Sequence, residues 1–478
     1  VTLLRRYPAH AIVGVLCVGL AGANAYRLTS PLVLVAGAGA ALKRGLFVLL
    51  AVALAGWWWG SVRLDALDRS PLAAKIGTAG RARIVVTGDA RRGRFDQRAP
   101  GVVVRYESLR PNEPVLLRFA LERAPPQGAV IDALAVLAAP RPAGHGFDER
   151  RWLRRHGVHV VLRVDEWSVA GHRRGLGAVA DRLRGWLRRS ATRGLRGERA
   201  AVLDGVVLGD DGGLSDELRQ RFRASGLYHL LAVSGQNVAL VAAGSLILVW
   251  LLGGPRWLGQ IAALAGIGGY VLAVGPQPSV VRAGIAGALA SLAWLSARMT
   301  DRWHFLLVGA AVLLAWNPYT LFDAGFQLSF AAVVAIFVLV PRLRRRLDGY
   351  PLPGLVADAI AVSAACGAAT APVMWFQFHT VPLLTVAANA LAAPAMVPLL
   401  GLALAGAVVA PIAPAATTGL AWLNGWLAAY IAACARLIGG IPGAQVQSTR
   451  GLLFVVAGAL LVAAYASGGC RTSSSPST

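Results

Sequence analysis

Acidic residues are scarce in this chain, with 23 Asp and Glu against 47 Lys and Arg, and charged residues of both signs fill only 15% of its 478 positions. So little charge excludes an ordinary soluble domain. Cysteine is equally sparse. Cys17, Cys366, Cys434 and Cys470 stand singly, without the CxxC or related spacings that hold a metal. The chain has no P-loop, so it carries no ATP-hydrolysing motif of that kind. Four aspartates in "DGVVLGDDGGLSDE", namely Asp204, Asp210, Asp211 and Asp216, invite a metal reading. No histidines accompany them and no repeated carboxylate spacing supports a pair of ions, so the stretch reads as a helix-capping turn. No catalytic residue, metal site or cofactor is expected.

Apolar residues are abundant instead, at 56%, with a mean hydropathy of +0.58. That composition is one of an integral membrane protein. The formal charge is +24, which suits anionic lipid, nucleic acid or both and does not choose between them. The basic residues are almost all Arg, which favours phosphate forks and equally fits a GC-rich coding bias.

Along the chain, apolar segments near 8–26, 28–42 and 45–61 form a first membrane region, 1–61. "ANA" at 23–25 resembles a signal-peptide cleavage site, but the two further apolar stretches favour a retained first helix. Between 62 and 170 the runs "RARIVVTGDA", "GVVVRYESL", "PVLLRFALERA" and "AVIDALAVLAAP" are β-rich and separated by Gly, Pro and charged turns, which predicts a small barrel or sandwich. A connector, 171–226, follows. In it Leu176, Val179, Leu183, Trp186 and Leu187 recur at helical spacing between Arg182, Arg184, Arg188 and Arg189. This amphipathic helix suits a lipid surface, with DNA contact as the rival reading.

The remainder, 227–466, reads as helical membrane domain with spans near 227–252, 257–275, 280–297, 303–317, 321–340, 355–377, 380–400, 401–416, 418–438 and 451–466, and 467–478 as a disordered tail. Pro318, Pro382, Pro394, Pro398, Pro411 and Pro414 suggest half-helices among them. If Arg5 and Arg6 are cytoplasmic, three crossings put the basic β-rich region outside. Counting back from Arg342, Arg344, Arg345 and Arg346 as inside gives the same answer. The basic domain is therefore expected to be extracytoplasmic.

Several motifs then occur in a fixed order. They are "GFDERRWLRRHGV", "VLGDDGGLSDELRQRFRASGLYHLLAVSGQNVALV", "GPQPSVVRAGIAG", "WNPYTLFDAGFQLSFAAVV" and "VPLLTVAANALAAPAMVPL". Together they make the chain resemble the ComEC competence family, inner-membrane channels for DNA uptake, over almost all of 62–438. The resemblance implies a polytopic helical membrane protein with an extracytoplasmic OB-like β domain, importing single-stranded DNA during natural transformation. It further implies a surface or periplasmic DNA receptor, a separate nuclease and a cytoplasmic ATP-driven translocase as partners, besides membrane lipids. Many relatives have His where this chain has Gln236-Asn237, and some carry a cysteine pair in the OB-like region that is missing here. Many also end in a metallo-β-lactamase-like domain with an HxHxDH motif, which does not occur in this sequence. The nuclease is then another chain, or the sequence is truncated, or the pathway lacks that step.

On this resemblance the outer domain would hold DNA through Arg81, Arg83, Arg91, Arg92, Arg94, Arg98, Arg105 and Arg118, with Phe95, Tyr106 and Phe119 as the few aromatics nearby. The candidate channel lining is His229, Ser234, Gln236, Asn237, Gln277, Ser279, Arg282, Asp323, Gln327, Ser329 and Asn389. Polar groups in an apolar run must pair, pack or face water. Arg282 and Asp323 are expected to pair with each other, and Asp323 to sit in a helix N-terminal turn. A secondary transporter of a small solute is the rival function, since Pro-broken helices suit it as well.

Overall fold

The computed structural model describes residues 8–28, 45–93, 95–121, 124–142, 148–296 and 301–451. Arg94, nearly all of the expected spans 28–42 and 451–466, and the 467–478 tail lie outside these. The chain divides into two compact units, one of Val1–Gly213, Leu231–Phe326 and Leu399–Gly425, the other of Leu214–Leu230, Gln327–Pro398 and Trp426–Thr478.

In the first unit, helices α1 (Pro8–Gly22) and α2 (Gly45–Asp68) pack together and lead into a closed barrel. Its strands are β1 (Ala79–Val86), the two-residue β2 (Arg91–Arg92), β3 (Gln97–Tyr106), β4 (Glu113–Phe119), β5 (Ala129–Ala138) and β6 (Val161–His172). Each long strand alternates apolar and polar residues, so one face turns inward. Ile84, Val86, Val103, Leu117, Ile131 and Leu162 are wholly buried there. The order β1-β5-β6-β4-β3 closes through a β1–β3 pairing, and five strands make the ring. All pairings are antiparallel except β4 with β6, which are parallel. A parallel pair needs a crossover. Here β5 and the short helix α3 (Glu149–Arg155) lie in that connection.

After the barrel come α4 (Leu176–Ala191), α5 (Glu198–Leu208), α6 (Asp216–Ser225) and α7 (Tyr228–Leu231). The membrane helices α8 (Gly235–Leu251), α9 (Arg256–Val274), α10 (Pro278–Leu295) and α11 (Arg302–Trp316) then follow in sequential packing. Exposed Trp250, Trp257, Trp294 and Trp303 stand where these helices meet one boundary, and exposed Trp59 and Trp316 mark the opposite one. Amphipathic rings prefer the headgroup level, so the two sets bracket an apolar slab.

The second unit is built on α12 (Ala324–Val338), α13 (Val340–Leu347), α14 (Gly354–Phe378), most of α15 (Thr385–Val409) and the later part of α16 (Pro414–Gly439). Among the described residues five helices are long and apolar enough to cross a membrane, or six if the bent α12–α13 pair is one span. The chain is therefore a multi-pass membrane protein with a β-barrel domain. Two sequence expectations need correction. The spans set at 380–400 and 401–416 are largely one helix, α15, running through Pro394 and Pro398. The span set at 227–252 starts later, because α7 stops at Leu231 and Ser234 opens α8.

Candidate functional site

Local chemistry divides the barrel arginines into two groups. Arg98 and Arg118 converge on Glu149 at 3.3 and 3.0 Å and on Asp96 at 3.0 and 3.8 Å. Arg83 makes a two-pronged bond to Asp132, its cross-strand partner, at 2.7 Å for each prong. These three have their charge largely answered within the barrel. Arg91 reaches Asp211 at 3.6 Å. Arg81, Arg92 and Arg105 are exposed and form no ion pair among the described residues. Phe95, in the loop between β2 and β3, is 80% exposed, whereas Tyr106 and Phe119 belong to the barrel core.

The loop between β1 and β2 is bound to the membrane helices through an ion network. Asp89 accepts from Arg188 at 2.7 Å and from Arg184 at 3.1 Å, and Arg188 also donates to Asp210 at 2.5 Å. Asp204 stands 3.5 Å from Arg188. Arg184 additionally donates to Leu208 O at 3.4 Å and Ala273 O at 3.3 Å, carbonyls at the C-terminal ends of α5 and α9 that helix geometry leaves without donors. The face of α4 that suggested a lipid surface packs on α9, and its central arginines close this network. Burial pushes Asp204 up to about 6, with Arg188 pulling the other way and Asp210 adding to the rise. Asp89 is also pushed up by burial, but the bonds and charge of Arg188 and Arg184 outweigh that and hold it below the ordinary carboxylate value.

Beside this network lies the Ser-Gly-Gln-Asn knot. Ser234 turns the backbone into α8 and donates to Asn237 Oδ1 at 3.2 Å. Asn237 is 2% exposed, and its amide donates to Val206 O at 2.8 Å and to the Tyr270 hydroxyl at 3.1 Å. Tyr270 in turn donates to Val207 O at 2.7 Å. These bonds satisfy the carbonyl end of α5. Gln236, one residue earlier, is exposed. Ser279 donates to Val233 O at 2.8 Å. Gln277 lies over Gly209, whose φ of +71° favours glycine and whose missing side chain leaves room for the Gln277 amide, 2.9 Å from where a β-carbon would stand. Arg282 runs between Gly235 and Gly309, since a β-carbon at either would stand within 3.6 Å of it.

Asp323 accepts from the Phe326 N–H at 3.0 Å and so caps α12. The expected pair with Arg282 does not form, because this cap directs the carboxylate into its own helix turn. Ser234, Gln236, Asn237, Gln277, Ser279, Arg282 and Asp323 are thus in the first unit, at or near the N-terminal ends of α8, α10 and α12 and the C-terminal end of α9. His229, Gln327, Ser329 and Asn389 belong to the second unit. There His229 bonds Gly226 O at 2.8 Å, Gln327 accepts from Gln377 at 3.0 Å and Asn389 donates to Ser363 at 3.2 Å. Sequence reading missed Asp89, Tyr270, Ser363 and Gln377. Each has its partner far along the chain. Among the described residues no group of three or more His, Cys, Asp or Glu is placed to hold a metal.

A profile of the competence-protein family matches residues 206–468, more than half of the chain. ComE operon protein 3 of Bacillus subtilis (strain 168) is 28% identical over 205 residues, 41% of this chain and 25% of that protein. Competence protein ComA of Neisseria gonorrhoeae is 27% identical over 294 residues, 57% of this chain and 40% of that one. An uncharacterized protein, YcaI, of Escherichia coli (strain K12) is 28% identical over 204 residues, 41% of this chain and 27% of that one. The matched stretches therefore cover only 25% to 40% of these relatives. No solved structure matches the chain.

Proposed function

The chain belongs to the competence-protein family, and from that premise we propose that it forms a passage for single-stranded DNA across the bacterial inner membrane during natural transformation. The barrel, with its β1-β3-β4-β6-β5 ring and parallel β4–β6 closure, is read as an OB-like fold. Folds of that kind bind oligonucleotides with one sheet face and with the loop joining the first two ring strands. In this chain that loop carries Arg91, Arg92 and Phe95. Exposed Arg81 and Arg105, at the ends of β1 and β3 away from that loop, add a second basic patch, and the barrel is read as extracytoplasmic.

The observation that carries the proposal is the seating of this loop. Asp89 fixes it through Arg184 to the carbonyl ends of α5 and α9 and through Arg188 to Asp210 just after α5, where the Ser234–Asn237 knot and Gln277 also lie. A strand held by the loop would be delivered beside exposed Gln236. A polyanion entering a negative-inside cell moves against the potential, so a cytoplasmic ATP-driven translocase supplies the pull. A surface receptor and a nuclease complete the route. The continuous α15 removes one of the half-helix arguments for a small-solute transporter.

The test is equilibrium binding of a fluorescent single-stranded oligonucleotide to the full chain in nanodiscs of zwitterionic lipid. Substitution R81Q/R92Q/R105Q is expected to weaken binding and to lower the salt slope by about 0.7 for each phosphate that is no longer neutralised. Unchanged affinity and slope would contradict the role of this surface.

A further inference from the structure

The second unit carries a basic surface that the DNA reading does not use. At α12–α13 the chain bends by 46°. Pro341 has no N–H to continue the helix ladder, and the Arg342 N–H bonds Leu339 O at 3.0 Å instead of Val338 O. The Arg342 guanidinium takes over Val338 O, and Arg345 donates to Pro341 O at 3.3 Å. Side chains therefore satisfy the carbonyls of the bend, which makes it a built feature and not a frayed helix end.

Within α13 the two sides differ. Leu343 and Leu347, four residues apart, are half-buried, and α13 packs on α14. Arg344 is answered by Asp348 at 2.6 Å and Asp358 at 2.7 Å. Arg342, Arg345 and Arg346 are exposed, and Arg346 has no hydrogen-bond or ion-pair partner among the described residues. Close by in sequence, Tyr350 is 66% and Leu355 87% exposed, with Leu352 exposed as well. Guanidinium groups beside exposed apolar side chains, at the end of a membrane span, match a surface whose apolar part enters the acyl boundary and whose charges meet phosphate.

We propose that Arg342, Arg345 and Arg346 of α13, together with Tyr350, Leu352 and Leu355, form a binding surface for anionic phospholipid headgroups. The charge pattern carries the choice of partner. Three cations on one short helix at a bilayer boundary attract phosphatidylglycerol-like lipids, at roughly fivefold for each residue near the surface. Zwitterionic lipid supplies no such net attraction. The inference does not depend on the DNA-passage reading.

Native mass spectrometry of the full chain released from nanodiscs of mixed phosphatidylglycerol and phosphatidylcholine tests it. Wild type is expected to retain phosphatidylglycerol preferentially, R342Q/R345Q/R346Q to lose that preference by about tenfold or more, and R342K/R345K/R346K to keep most of it. Equal retention by wild type and the Gln variant would overturn the proposal. So would a Gln variant with unchanged lipid preference that has lost binding of a labelled oligonucleotide, which would assign the patch to nucleic acid. Thermal unfolding of each variant checks that the fold is intact, and the Lys variant reads the charge if the Gln variant fails to fold.

Discussion

The side-chain amide of Asn237 donates to the Tyr270 hydroxyl at 3.1 Å, while the adjacent Gln236 is exposed. Two neighbours in one motif therefore have different work. Asn237→Ala would leave Val206 O and the Tyr270 hydroxyl short of a buried partner, at a cost of about 1–3 kcal/mol. Gln236→Ala should leave stability unchanged. Thermal unfolding of the purified variants separates them, and equal losses would contradict this division.

Arg188 stands among Asp89, Asp204 and Asp210. Removing it leaves these carboxylates short of their shared cation, so Arg188→Met should destabilise the first unit by about 3–5 kcal/mol. Changing Asp89 to Leu as well should recover part of that loss, because one of the stranded charges is gone. Denaturant unfolding with a barrel-located probe measures both, and simple additivity would show that the two residues are not coupled.

Acidity should act on the same network with a definite sign. A raised carboxyl pKa means that the folded state holds its proton more tightly, so the stability it contributes is full below 3.8 and lost as pH rises through about 6. Acidifying from pH 7 to pH 5 should therefore stabilise the fold, by about 1 kcal/mol if Asp204 acts alone. At lower pH, Asp89 with its lowered pKa works in reverse, and stability falls as its carboxylate is protonated. Asp204→Asn should abolish the gain between pH 7 and 5. A variant with the wild-type profile would contradict the assignment to Asp204.

The barrel arginines should separate by phenotype. Arg118, bonded to Glu149 and only 16% exposed at its side chain, should destabilise the barrel by about 1–3 kcal/mol as Arg118→Gln. Arg105→Gln should change unfolding by no more than about 0.5 kcal/mol. Comparing the unfolding curves of these two variants decides it.

The barrel was readable from sequence because its signal is local. "RARIVVTGDA" and "AVIDALAVLAAP" alternate inward and outward residues and became β1 and β5, and the aspartate stretch became the expected turn, with Ser215 capping α6. The helix ends were harder to read. Pro394 and Pro398 do not break α15, since a membrane helix can re-satisfy the carbonyls that proline frees. The site itself was readable only in part. The knot stood out as polar residues heading an apolar run, but Asp89 and Tyr270 gain their roles from Arg188, 99 residues from Asp89 in sequence, and from Asn237. A pattern confined to a few neighbouring residues carries no trace of such partners. Asp323 shows the converse, where a nearby backbone N–H outcompeted the distant arginine that charge alone suggested.

The central claim is the passage of DNA. Labelled DNA should be followed into the cytosol of cells lacking this gene, complemented with wild type or with Gln236→Ala at equal membrane levels. The account predicts that uptake is lost on deletion, restored by wild type and reduced in the variant. Undiminished cytosolic DNA in the deletion strain, under conditions that permit competence, would contradict it.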